Sequence, residues 1–140
     1  MIYETHLQAA EAGAWPLDST VAWDRIDREI AAGEGDIHRA LHDAALIEGY
    51  LPVYAARLMQ LAWDDVDATA VLSLELYEGL RHYTALKPYL DLVGFKAAPD
   101  MEATLARARE RTLSKTYDAA ELIEHLTNFM ASELFAAYFF

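Results

Sequence analysis

The residues of this sequence best suited to chemistry are three ionisable side chains inside an apolar helical stretch at residues 74–94. Glu75, Glu78 and His82 stand at i, i+3 and i+7, a spacing that brings side chains to one face of an α-helix. Apolar and aromatic residues fall on or beside the same face. Burying a charge is costly unless the group is paired, neutralised or bound to a metal. The pattern therefore indicates ion pairing or metal binding on this face.

Two other long helical segments also place a glutamate within an apolar stripe. Glu48 lies in the middle of the stripe of residues 37–63, and Glu133 stands close to Phe129 and Met130. Carboxylates and imidazole are the ligand set for iron or manganese. In ferritin-like bundles, two helices supply one Glu each and two others supply a Glu-x-x-His pair, all directed inward onto two metal ions. Glutamates on three long helices fit that arrangement.

The composition is that of a single globular domain. The chain has 140 residues, of which 54% are hydrophobic and 24% charged, enough to bury a core. It has no run of about 18 apolar residues, so no transmembrane helix is predicted. The first residues lack the pattern of a signal peptide, and a cytoplasmic location is expected. Because there is no cysteine, disulfides and thiolate metal sites are excluded.

The net charge of −12 disfavours two classes of partner. Nucleic acids and anionic membranes must be neutralised by Lys and Arg, which number only 11 here. We therefore expect neither as a partner.

The hydrophobic periodicity predicts an all-α fold without strands, in one helical domain over residues 1–140. Residues 1–20 are expected to form an irregular N-terminal arm, and residues 36–140 to form the bundle. Helices are predicted over residues 21–32, 37–63, 68–93, 101–111 and from 119 onward. Asp36, and Asp118 with Glu121 in a capping box, are predicted N-terminal caps.

The last predicted helix has an unusually apolar sequence at residues 134–140, LFAAYFF. A solvated helix end of this kind would promote aggregation. We therefore expect it to pack against another helix in a homo- or hetero-oligomer.

Four segments carry a resemblance to a known family. Residues 48–54, EGYLPVY, resemble the motif E-E-A-L-P-x-Y, and residues 78–82, EGLRH, resemble E-E-N-R-H. Residues 89–94 match Y-L-x-L-x-G, and residues 129–133, FMASE, fall where a helix with an S-F-Q-E run is expected. In this order, the four segments resemble the first three ligand helices of the soluble acyl-carrier-protein desaturases, which are members of the ferritin-like diiron superfamily.

The resemblance implies a ferritin-like antiparallel helical bundle with a carboxylate-bridged diiron centre that activates O2. The metal ligands from this chain would be Glu48, Glu78, His82 and Glu133. A ferredoxin-type electron donor and a dimer are also implied. On this basis the chain is expected to be a subunit of a non-haem diiron oxidase, desaturase or oxygenase.

Two departures from the family motifs leave a second interpretation open. Gly79 stands three residues before His82, where the family has a glutamate, so Glu78 or Glu75 would have to substitute through a local change such as a π-bulge. A fourth helix with a second Glu-x-x-His is also missing, so the bundle is expected to be incomplete in one chain and completed by a partner chain. The alternative is a metal-free, degenerate ferritin-like partner protein with a structural or dimerisation role.

Simpler interpretations exist for the individual residues. Glu48 could form a salt bridge with Arg81, and His82 could be an ordinary core histidine. His38 and His42 have the i, i+4 spacing of a metal pair, but without an adjacent glutamate they are expected at the surface.

Overall fold

The computed structural model describes residues 2–139, and all regular structure in that range is helical. This confirms the all-α prediction. The α-helices are α1 (Ile2–Ala12), α2 (Leu17–Thr20), α3 (Arg28–Ala32), α4 (Gly35–Leu61), α5 (Val66–Leu92), α6 (Met101–Leu113) and α7 (Leu122–Phe139). Short 3-10 turns at Trp23–Arg25 and Ala119–Glu121 precede α3 and α7.

The hairpin of α4 and α5 is the centre of the fold. Only residues 62–65 connect the two helices, which is too short for anything but neighbouring, antiparallel packing. The carboxylate of Asp65 ends this link by accepting a hydrogen bond from the backbone N–H of Ala68, 2.9 Å away, and so caps α5. Both helices continue through an internal proline, Pro52 in α4 and Pro88 in α5.

Two apolar clusters attach the other helices to the hairpin. One joins α4, α5 and α7 through Leu51, Ala55, Leu58, Leu72 and Phe129. The other joins α4, α5 and α6 through Ala45, Leu90, Met101 and Leu105. Helices α6 and α7 therefore pack against different parts of the hairpin along its axis.

Gly49 permits the close approach of three helices in the second cluster. A Cβ atom at this position of α4 would lie 2.8 Å from the ring of Tyr83 and 2.9 Å from the side chain of Leu105. Glycine weakens a helix interior by about 1 kcal/mol relative to alanine. Here that cost is offset by the packing of α5 and α6 against bare backbone.

The prediction for the N-terminal region was wrong in two respects. Residues 2–12 are not irregular but form α1, which packs against α5. Their alanine, glutamate, glutamine and leucine residues favour a helix. The helix predicted over residues 21–32 is shorter, because Asp27 accepts hydrogen bonds from the N–H groups of Glu29 and Ile30 and starts α3 there.

The later helix boundaries agree with the prediction within a few residues. Asp100 caps α6 through the N–H of Ala103, whereas α4 begins at Gly35, so that Asp36 lies in its first turn instead of capping it. Before α7, Asp118 Oδ1 accepts from Ala120 N–H and Asp118 N–H donates to Glu121 Oε2 at 3.5 Å.

The expectation that His38 and His42 lie at the surface was wrong. His38 is 2% exposed, and its ring contacts Tyr89 and Phe95 from the end of α5 and the following loop. His42 is mostly buried against Phe95. Both histidines pack among aromatic rings.

The predicted apolar end of α7 falls only partly within the described residues. Leu134, Phe135 and Tyr138 are 61%, 68% and 87% exposed. The side chains of residues 136, 137 and 139, and all of residue 140, lie outside the description. Among the described residues, no helix has the length and hydropathy needed to cross a membrane.

The two leucines of α6 allow a matched test of this packing. Leu105 is 1% exposed and Leu113 is 63% exposed on the same helix. We expect Leu105→Ala to lower the free energy of unfolding by about 2–5 kcal/mol, because it leaves a cavity between α4 and α6. Leu113→Ala should change it by less than about 0.5 kcal/mol. Urea denaturation measures both, and equal effects would contradict the position of α6.

Candidate functional site

Glu48 of α4 and His82 of α5 form a direct pair across the hairpin. His82 Nδ1–H donates to Glu48 Oε1 at 2.9 Å. The Glu48 side chain is 17% exposed and that of His82 is 47% exposed, so the pair spans the boundary between the helix interface and solvent. His82 is therefore not a core histidine, and the salt-bridge partner of Glu48 is His82, not Arg81.

Gly79 makes room for this pair. A Cβ atom on Gly79 would lie 2.6 Å from Glu48 Oε2 and would also overlap the side chain of Leu51. The Glu48 carboxylate therefore rests directly on the backbone of α5, one turn before His82. The space that a larger side chain at position 79 would require is occupied by Glu48 and Leu51.

Glu75 is paired with a residue that the sequence did not identify. His6 of α1 approaches it with its Nε2 2.6 Å from Glu75 Oε1. The sequence held one local signal of this pair. The composition of residues 2–12 favours a helix, and a helix there would hold His6 in a fixed position. The pair joins α1 to α5.

Glu78 is held by the neighbouring arginine. Arg81 donates to Glu78 at 3.0 Å and also to the backbone carbonyl of Trp15. Its guanidinium lies 4.8 Å from the ring centre of Trp15 and 5.5 Å from that of Tyr77. A cation over an aromatic face is favourable. The Trp15 ring also lies parallel to the ring of His82 at 6.3 Å, so the segment after α1 covers this part of α5.

Glu133 brings a further carboxylate to this region from α7. It is half-buried, and its side chain makes no hydrogen bond within residues 2–139. Burial raises the pKa of its carboxyl above 4.5, and the charges of Glu75 and Glu48 raise it further, while His82 lowers it. Glu48, Glu75, Glu78 and Glu133, together with His6, Arg81 and His82, are called the carboxylate cluster below.

The pKa of His82 is raised above 6.5 within the carboxylate cluster. The main cause is the hydrogen bond to Glu48, since a carboxylate acceptor stabilises the imidazolium. Burial opposes the shift, and the charges of Glu48, Glu78 and Glu133 add to it. The imidazolium thus offsets part of the repulsion among the surrounding carboxylates.

The four residues named by the resemblance do not form a metal centre as they are arranged. Glu48 and His82 contact one another, Glu78 is bound by Arg81, and Glu133 approaches without a hydrogen bond. Within the described part of the chain, no three His, Asp or Glu side chains are placed to hold one metal ion. The residues do not fit a preformed iron site, and their role as ligands stays a prediction.

A cavity of about 480 Å³ lies away from these residues, at the turn between α5 and α6. Its lining includes His42, Lys87, Phe95 and Met101, and none of the residues of the carboxylate cluster. The carboxylate cluster therefore does not open into this cavity. Two of its pairs, Glu48 with His82 and Glu75 with His6, join different helices.

The contact between Glu48 and Gly79 can be tested through the pKa of His82. In Gly79→Ala, the new Cβ displaces the Glu48 carboxylate, so the pKa of His82 should fall toward 6.5. Gly35→Ala is the matched control, because a Cβ there has no atom within 4 Å. NMR titration of the ring protons measures both variants. An unchanged His82 pKa in Gly79→Ala would contradict the described packing.

The raised pKa of Glu133 predicts a pH-dependent effect of its neutralisation. A raised folded pKa means that stability is fully present below about pH 4.5 and falls as pH rises through the folded pKa. Glu133→Gln should therefore raise the melting temperature at pH 8 and have little effect at pH 4. Glu124→Gln, at an exposed glutamate in the first turn of the same helix, should not raise the melting temperature at pH 8, because a carboxylate there interacts favourably with the helix dipole. An equal shift at both pH values would show that ionisation is not the cause.

In comparisons with known proteins, no family model, curated protein or solved structure matches this chain. The ferritin-like bundle and its diiron centre remain inferences from the sequence motifs. The structure itself establishes an all-helical fold in which glutamates from α4 and α5 are paired with cationic or histidine side chains.

Proposed function

We propose that this chain is a metal-free, ferritin-like partner protein with a structural role and no catalysis of its own. The observation that carries the proposal is the position of Glu48, which lies on Gly79 and accepts a hydrogen bond from His82. In this interpretation, residues that resemble metal ligands have become ion pairs between helices.

The pairs of the carboxylate cluster connect separate elements of the fold. Glu48 and His82 join α4 to α5, and Glu75 and His6 join α5 to α1. Because the histidine of each pair is 39% or 47% exposed, solvent screens part of the attraction, and each pair makes a modest contribution to holding its two helices together. Such a use of the glutamates needs no metal ion. The pairing explains why glutamates occur within apolar helical stripes.

The partner role is supported by exposed apolar residues on α7. Ile123 and Met130 are 79% and 69% exposed, and the end of the helix adds Leu134 and Tyr138. Contiguous apolar surface on a small acidic protein marks an interaction site more often than a solvated face.

A second candidate is a subunit of a non-haem diiron oxidase, desaturase or oxygenase whose metal site is shared with another chain. The observation that favours it is the effect of Glu75 and Glu48 on Glu133, which requires carboxylates from α4, α5 and α7 to lie close together. Under this proposal Glu48, Glu78, His82 and Glu133 would hold iron that activates O2. The partner chain would supply the remaining Glu-x-x-His helix.

Iron loading separates the two candidates. The protein, isolated from its own host without denaturation, would be loaded anaerobically with Fe²⁺, desalted and analysed by native mass spectrometry and metal analysis. The metal-free proposal expects far less than one iron per chain, with no difference between the wild type and Glu133→Ala.

Two irons in a complex with a different chain, lost in Glu133→Ala, would overturn the metal-free proposal and support the oxidase subunit. Glu124→Ala is the control for the loss of a carboxylate from α7, because Glu124 is exposed. Circular dichroism of both variants shows whether a loss of iron reflects the ligand or the fold.

A further inference from the structure

A second cavity, of about 480 Å³, lies between the α4–α5 link and the start of α7, and it is called the link cavity below. Its apolar wall combines side chains of both elements, whereas its acidic wall comes from the link and the first turn of α5. The apolar residues are Ala62, Val66, Ala68, Leu122 and Leu126, and the acidic residues are Asp64, Asp65 and Asp67. A cavity of about 150 Å³ can hold a benzene ring, so the link cavity has room for a large apolar side chain.

The apolar wall of the link cavity is incompletely covered within the chain. Val66 is 68% exposed, and its neighbour in the link, Trp63, is 78% exposed. Leu122 and Leu126 are only partly buried, although Leu126 packs on the cluster shared by α4, α5 and α7. Exposed apolar groups rimmed by polar residues mark an interaction site. The apolar wall therefore suits an apolar side chain from outside the chain.

Two of the three aspartates in the link cavity have no cationic partner. Asp65 is used within the chain, because it caps α5 through the N–H of Ala68. Asp64 and Asp67 form no ion pair within residues 2–139. Among the described residues, no Lys or Arg lines the cavity. Two carboxylates thus remain available to a cation from another molecule.

Asp67 has one carboxylate oxygen that is shielded from solvent. Its Oδ1 accepts no hydrogen bond from any described residue. The dipole of α5 compensates part of the charge, since Asp67 lies in the first turn of that helix. Coulombic attraction grows as water is excluded, and a desolvated oxygen without a donor is costly. A cation beside the other oxygen of Asp67 would therefore be bound more strongly than at a fully solvated aspartate.

Charge selects the class of molecule that fits the link cavity. A second copy of this chain, with a net charge of −12, would bring its own link aspartates against these and repel them. A metal ion is disfavoured by the geometry, because no three carboxylate or imidazole side chains in the described part of the chain are placed to hold one. A segment with an apolar side chain and flanking Lys or Arg complements both walls.

We propose that the link cavity binds a basic, apolar segment of a different protein. An apolar side chain of that segment enters between Val66 and Leu122, and flanking Lys or Arg side chains pair with Asp64 and Asp67. The proposal rests on the partner role proposed above and states the chemistry of the partner. None of the residues of the carboxylate cluster lines the link cavity, so binding there does not involve the ion pairs of that cluster.

A synthetic peptide with blocked ends, carrying leucine and phenylalanine between two pairs of lysines, is the probe. Calorimetric titration of the full chain should show saturable one-to-one binding. Two-dimensional NMR spectra should place the largest shifts at residues 62–68 and 122–126. Two control peptides, one with glutamates in place of the lysines and one with glycines in place of leucine and phenylalanine, should not bind.

Substitutions separate the acidic wall from the apolar one. Asp64→Asn and Asp67→Asn should each weaken peptide binding about two- to fivefold, as expected for a partly exposed ion pair. Val66→Ser keeps the charges and should weaken binding about fourfold or more, the value of one buried methylene group. Asp36→Asn is the matched control, because Asp36 is an exposed aspartate in the first turn of α4, at the opposite end of that helix from the link. It should leave the affinity unchanged.

Equal losses of affinity in Asp36→Asn and Asp67→Asn would overturn the proposal, because they would show attraction to the net charge alone. Binding of the glycine peptide, no binding of the probe, or a dimer of the chain that excludes the probe would also overturn it. Failure here is distinct from failure of the metal-free function. Stoichiometric iron binding would refute that function and leave peptide binding intact, whereas a metal-free chain that ignores the probe would refute only the link cavity.

Discussion

The fold depends on the need to compensate a carboxylate that enters the interface of its two longest helices. Glu48 lies in the apolar stripe of α4 and points at α5 where that helix has no side chain, at Gly79. His82, one turn later, supplies an N–H at 2.9 Å. A larger residue at position 79 would separate the helices or expel the carboxylate. The glycine and the histidine thus act together, one providing space and the other a proton.

The remaining charges of this region follow from the same requirement. The carboxylates of the cluster have one permanent cation among them, Arg81, so the other compensation comes from imidazoles. One of these imidazoles, that of His6, belongs to α1, and its pair with Glu75 helps to hold α1 against α5. Glu133 has no donor within the described residues, and its pKa rises because burial and two neighbouring carboxylates disfavour its charge. Helix α7 is attached through Phe129 and Leu126 and through a hydrogen bond from the Tyr54 hydroxyl to the carbonyl of His125 at 3.2 Å, while the charge of Glu133 opposes the attachment.

The placement of the charged and the apolar side chains bears on function. The ionisable residues of the carboxylate cluster lie between helices, and all but Glu133 are paired, while Ile123, Met130, Leu134 and Tyr138 of α7 expose apolar side chains. The structural role proposed above rests on this exposed apolar surface. The same glutamates, brought together from α4, α5 and α7, are also what the diiron proposal requires, and the two proposals differ in whether the charges are balanced by histidines or by metal ions.

The sequence by itself determined the helical class, the hairpin of α4 and α5, and most of the buried stripe of α4, because periodicity, caps and a short link are local properties. It also identified Glu48 and His82 as residues of one region. Only the tertiary structure decided that they bind each other, that His6 reaches Glu75, that His38 is buried, and that Ile37 is 53% exposed. Those facts depend on how each helix is rotated against its neighbours. That rotation is set by the packing of whole faces, which no local pattern contains.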